Sequence, residues 1–199
     1  PLELHLGVVA GVATPALADR VAQLAAEFSQ RQVLSVLREA HHVCWGVPTL
    51  RKVTRAMADA MSPFRHQAQV EQVLTWLQQA SDEGGPRRIV LSAGRDGVML
   101  PIRGLQKYKE AAAATLSVFN RSGKRLGTVY LGQMPEAGQV ALSHELTALI
   151  RDVLSAWTGS PLRLVYVTDA GFHPDDYFRT VLSRMPDPHR PGCYYQWEW

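Results

Sequence analysis

Residues 88–100, RIVLSAGRDGVML, are where the chain changes grammar. Ile89, Val90 and Leu91 open the stretch as a strand would. Gly94 and Gly97 then interrupt it, with Asp96 between them. A carboxylate is a poor strand residue, and glycine inside a strand marks a bend or a close backbone approach. The segment therefore reads as a strand carrying either a functional carboxylate or an Asp-Gly turn, and taken alone it fits both.

Working outward towards the C-terminus, residues 113–119 (AATLSVF) and 125–131 (RLGTVYL) read as two further strands. Between them Asn120-Arg121-Ser122-Gly123 is a turn, so the pair should form a hairpin. Residues 139–157 form a long amphipathic helix with Leu142, Leu146, Leu149, Ile150, Val153 and Leu154 on its core face. Gly159-Ser160-Pro161 ends that helix. Residues 162–168 (LRLVYVT) make a nearly continuous apolar run, which predicts a strand buried on both faces. Asp169 closes it, and a further helix is expected after His173-Pro174, to about residue 184. The order strand, strand, strand, helix, strand, helix argues for an α/β layer with a mixed sheet.

Towards the N-terminus the signals are helical. Thr14-Pro15 supplies a cap and a first-turn proline, and Val21 and Leu24 lie on the apolar stripe that follows. A second helix is expected over residues 32–40, a third from Pro48, and a fourth over residues 64–79. Residues 81–86 (SDEGGP) concentrate turn formers, so a domain boundary is placed there, with a helical domain over 1–82 and a mixed domain over 86–199. The second helix, the turn around Cys44-Trp45-Gly46 and the third helix have the dimensions of a helix-turn-helix. In that reading Arg51, Lys52 and Arg55 face DNA. A small helical bundle with a basic surface fits the same residues.

With 199 residues, 46% hydrophobic and 20% charged, the chain has the composition of an ordinary globular protein. Its net charge of +3 favours approach to nucleic acid without demanding it. Cys44 and Cys193 are far apart and lack CxxC spacing, so both are expected to be reduced and packed. His41 and His42 with Cys44 crowd three ligands into four residues, too tightly for a tetrahedral ion. Trp45 is instead expected to anchor the helical core. No apolar run reaches the roughly 18 residues that a membrane-spanning helix needs, and a cytoplasmic address is expected.

Asp96 and Asp169 gain interest together. If the first and fourth strands are neighbours, both carboxylates converge at strand ends, as hard ligands suited to magnesium or manganese. Residues 89–103 (IVLSAGRDGVMLPIR), 109–135 (KEAAAATLSVFNRSGKRLGTVYLGQMP) and 162–178 (LRLVYVTDAGFHPDDYF) resemble the catalytic domain of DDE-type insertion-sequence transposases. That resemblance implies an RNase H-like fold over residues 86–199. It makes Asp96, in Asp96-Gly97-Val98, and Asp169, after Val167-Thr168, the first two ligands of a two-metal Mg2+ or Mn2+ site. It also implies phosphodiester cleavage and strand transfer on double-stranded DNA, at element terminal repeats and target, by a nucleoid-associated homo-oligomer.

A third acid, usually Glu on a later helix, should complete the set. Glu198 lies in an aromatic, strand-like tail (YYQWEW) and is not assigned to that role. The expectation is therefore of a fragment ending before the third acid and inactive alone. Arg103, Lys107 and Lys109, in the connection after the first strand, either hold a DNA backbone or form a solvated loop. Asp175 and Asp176 read as helix-opening residues, and His173 as a loop residue. The alternatives are a non-catalytic or domesticated DNA-binding protein on a degenerate RNase H-like scaffold, and a nuclease of the same fold.

Overall fold

The computed structural model describes residues 7–101, 108–133, 139–169 and 171–199. The chain divides into two compact units, Pro1–His66 and Gln67–Trp199. Three helices occupy the first part: α1 (Pro15–Glu27), α2 (Gln30–His41) and α3 (Val47–Asp82). The first begins as the sequence predicts, whereas the second starts at Gln30, two residues before the expected start at residue 32. Thr14 Oγ1 accepts from the Leu17 amide at 3.3 Å, with Pro15 at the first helical position. The Ser29 amide donates to Gln32 Oε1 at 3.0 Å, closing the start of α2.

Within the first unit, Ala13, Ala18, Val21, Leu24, Val33, Leu37, Leu50 and Val53 form a buried core. Trp45 packs against it from the turn, as expected. Cys44 and Cys193 are free thiols but both are exposed, so neither packs as the sequence suggested. Their segments are turns, and there is no helical or strand periodicity to carry them inward.

Helix α3 is one element where the sequence predicts two. Pro63 lies inside it without ending it, although proline removes an amide donor and crowds the preceding turn. Met61 and Phe64 beside it are 60% and 69% exposed. Residues 47–66 of α3 belong to the first unit and the rest to the second.

The second unit holds β1 (Val90–Pro101), β2 (Tyr108–Phe119), β3 (Arg125–Gln133), α4 (Val140–Ala156), β4 (Arg163–Thr168), α5 (Phe172–Thr180) and β5 (Trp197–Glu198). A single 3-10 turn, Leu182–Arg184, follows α5. The strands form one mixed sheet in the order β3-β2-β1-β4-β5. Strands β1, β2 and β3 pair antiparallel, whereas β4 runs parallel to β1, and β5 parallel to β4. The expected hairpin is built on Asn120, whose Oδ1 accepts from the amides of Ser122 and Lys124 at 3.1 and 2.9 Å.

One face of the sheet is the core. Leu91 and Ala93 of β1, Ala114, Leu116 and Val118 of β2, Val129 and Leu131 of β3, and Leu164 and Tyr166 of β4 are all buried. They join Leu142, Leu146, Leu149, Ile150, Val153 and Leu154 of α4, and Val73, Leu77 and Ala80 of α3, in one cluster. Each fully buried leucine contributes about 1.5–3 kcal/mol. The other face is different: Val167 is 56% exposed, so β4 is buried on one side only. The unbroken apolar run of β4 exceeds what the helices on the core face cover. Among the described residues no helix is long and apolar enough to cross a membrane.

Candidate functional site

Two strands that are distant in sequence set the site. The parallel β1–β4 pairing runs from Val90 opposite Arg163 to Gly94 opposite Val167 and Arg95 opposite Thr168. One residue further along each chain stand Asp96 and Asp169. Register partners in a sheet project to the same face, and side chains alternate along each strand. Alternation puts Asp96 on the face of Gly94, and Asp169 follows directly on the last paired residue of β4, so each aspartate is the next residue after the Arg95–Thr168 pair. Both aspartates are exposed.

Each carboxylate is oriented by a backbone amide through its Oδ1 atom. The Gly97 amide donates to Asp96 Oδ1 at 2.8 Å. The Gly171 amide donates to Asp169 Oδ1 at 3.1 Å, with the Thr168 hydroxyl at 3.4 Å. The second contact is the local turn that aspartate forms with the amide two residues on. A Cβ at Gly97 would overlap the Glu110 side chain where it now lies, so a larger residue there would displace Glu110. Glu110 reaches that position from β2, on the core face.

Arg95, which the sequence reading passed over, lies beneath this pair. It is 3% exposed, because alternation sends it inward when Asp96 faces out. Its guanidinium donates to Ser143 Oγ at 3.0 Å and to Gln139 Oε1 at 2.7 Å. It also lies 4.6 Å from the centre of the Tyr177 ring. Burial lowers its pKa. Burial likewise pushes the Tyr177 phenol up to about 12 and raises that of Tyr166. Both tyrosines are thus neutral hydrogen-bonding groups near neutral pH. Tyr177 shares a hydrogen bond with Thr147 at 2.9 Å, and Tyr166 donates to the Pro174 carbonyl at 3.1 Å. The signal that could have revealed Arg95 was parity: an outward Asp96 requires an inward neighbour.

The remaining candidates separate from this pair. Asp175, in the first turn of α5, forms an ion pair with Arg179 at 2.9 Å, and Asp176 follows it in the helix. His173 lies edge-on to Phe172, with ring centres 5.4 Å apart. Glu198 pairs with Arg163 near the start of β4, and its carboxyl is held below the usual range by that arginine.

Arg51, Lys52 and Arg55 are exposed on α3, opposite the buried Leu50 and Val53. Arg55 is 3.9 Å from Asp59. Lys109 is exposed on β2, while Arg103 and Lys107 lie outside the described residues. Among the described residues, no group of three or more His, Cys, Asp or Glu side chains is assembled to hold a metal ion. The chain matches no protein-family model and no curated protein.

Proposed function

We propose that this chain is part of a DDE-type transposase, in which an RNase H-like sheet offers Asp96 and Asp169 to divalent metal and a helical unit binds DNA. The observation that carries the reading is the β1–β4 register, in which Arg95 opposite Thr168 makes Asp96 and Asp169 the next residues on neighbouring parallel strands. The sheet order β3-β2-β1-β4-β5 supports it, with the antiparallel β1–β3 meander on one side of β1 and the parallel β4 on the other.

The donor set fits Mg2+ or Mn2+. Both groups are exposed hard-oxygen ligands, and the backbone hydrogen bonds that orient them fall on Oδ1, so the donor chemistry suits a hard divalent cation. When bound, two such ions activate the attacking oxygen and stabilise the leaving one in phosphodiester cleavage and strand transfer. The protein's own part is orientation. The amides of Gly97 and Gly171 fix each carboxylate, and the sheet fixes their spacing. Arg51, Lys52 and Arg55 would neutralise phosphates of double-stranded DNA at element ends or target, with Lys109 adding charge on β2. Assembly as a homo-oligomer on DNA belongs to the same proposal.

Titration calorimetry with Mn2+ on the chain and on Asp96→Asn and Asp169→Asn tests the reading, with circular dichroism as the check on folding. Each substitution should weaken binding by about 10-fold or more, as loss of one carboxylate from a hard-cation site requires. Binding that survives both substitutions, or a chain that takes up no Mn2+, overturns the metal assignment. DNA binding retained without metal binding would instead favour a non-catalytic DNA-binding protein on this scaffold.

A further inference from the structure

Arg95 is a charged side chain where an apolar one would pack at lower cost. It is 3% exposed, and among the described residues it has no carboxylate ion pair. Among the described residues, its Nε and the Nε2 of Gln139 are buried without hydrogen-bond partners. Burying a guanidinium in this way is unfavourable, and replacing such a group with a well-packed apolar side chain is often neutral or stabilising. Stability alone is therefore a poor account of Arg95. A methionine could fill the volume, but it could not supply directed donors.

Those donors join β1 to the start of α4, and the guanidinium face adds α5. Gln139 is the N-cap residue of α4 and Ser143 lies in its first turn. Tyr177, under the guanidinium, is in α5, the helix that starts three residues after Asp169. On β1, Arg95 precedes Asp96, and across the sheet its register partner Thr168 precedes Asp169. The Arg95 side chain thus ties β1 to α4 and α5, while β4 is held to the same point of β1 by the backbone pairing of Thr168 with Arg95. We propose that Arg95 is a positioning residue, which locks the middle of β1 against α4 and α5 beside the end of β4 so that Asp96 and Asp169 keep a single spacing. Its purpose rests on the metal site proposed above; its structural effect does not.

The Gly97 and Gly171 amides report on that effect, since each donates to one of the two carboxylates. Their solvent exchange, measured by NMR without metal, can be compared with that of a core amide such as Leu149 in the wild type, in Arg95→Met and in Arg95→Lys. Arg95→Met should remain folded, with Gly97 and Gly171 exchanging about 10-fold faster and Leu149 unchanged, the pattern of a local rather than a global opening. Its Mn2+ affinity should fall about 10-fold at an unchanged melting temperature, because a ligand pair of variable spacing binds less well.

Lysine keeps the charge but loses the planar fork, so Arg95→Lys should behave like Arg95→Met. Should Arg95→Met fail to fold, Ser143→Ala removes one tether only and should move the same two amides by a few-fold, in line with loss of a single hydrogen bond to a charged group. Unchanged exchange at both glycines in a folded variant overturns the proposal, as does acceleration at Leu149 equal to theirs. If the wild type takes up no Mn2+, the metal reading fails while the exchange data still decide whether Arg95 positions the two aspartates.

Discussion

Asp187 is 5% exposed and holds the turn that follows α5. Its Oδ1 accepts from the His189 amide at 2.9 Å and its Oδ2 from Arg190 Nε at 2.6 Å. The hydrogen bond from Arg190 is the largest influence on its carboxyl and holds it below the ordinary value of 3.8. A carboxylate depressed by folding stabilises the fold fully above its unfolded pKa and loses that contribution as pH falls through the folded value. Asp187→Asn keeps an oxygen for the His189 amide but removes both the charge and the acceptor for Arg190 Nε. The variant should therefore unfold at lower urea than wild type at pH 7, and the two midpoints should approach one another as pH falls below the ordinary carboxyl value of 3.8. A difference that stays constant across that range would show that the charge of Asp187 contributes nothing. At this scale the sequence was legible where a residue sat against its local preference. Asp96 and Asp169 stand out beside glycines and at a strand end. Arg95 did not, because an arginine normally faces solvent and only its neighbour's orientation turns it inward.

The helices and strands were legible wherever periodicity was strong, and least so at α3 and β2. Proline is a helix breaker, so Pro63 implied a new start, yet the helix runs through it from Val47 to Asp82. The first half of β2 (YKEAA) has little β-propensity, and its strand character comes from β1, whose Met99 and Leu100 pair with Glu110 and Lys109. Partner-imposed structure of this kind is invisible in a local window. The docking of α3 on the sheet was hidden for the same reason, since it depends on one missing side chain. A Cβ at Gly127 of β3 would meet the Trp76 ring at 2.2 Å. Trp76 therefore lies on bare backbone, and α3 sits closer to β3 than any side chain would allow. Gly127→Val should destabilise the protein by about 1–3 kcal/mol through overpacking. Trp76→Leu made in that background should recover part of the loss, and the non-additivity is readable from a urea-unfolding double-mutant cycle. Full additivity would mean that the two residues do not touch in solution.

At the scale of the molecule, the two hydrophobic clusters share no residue. Leu37 lies in the cluster of the first unit and Leu149 in that of the second, both 0% exposed. The sequence put its boundary at the turn-rich residues 81–86, whereas the compact units divide at His66 and Gln67, inside α3. Turn composition marks where a helix stops, but which core its last turns join is decided by tertiary packing. The stretch between the clusters holds Pro63, which donates no amide hydrogen bond, and the exposed Met61 and Phe64. A helix weakened there transmits little cooperativity. Leu37→Ala and Leu149→Ala should each cost about 2–5 kcal/mol, and each cost should stay within its own unit. In Leu37→Ala, amide exchange should accelerate at Val21 and Leu24 and hold at Leu91 and Leu116; Leu149→Ala should do the reverse. The proposed activities should divide in the same way, with DNA affinity falling in the first variant and Mn2+ affinity in the second. Exchange that accelerates throughout both variants would mean that the chain unfolds as one cooperative body.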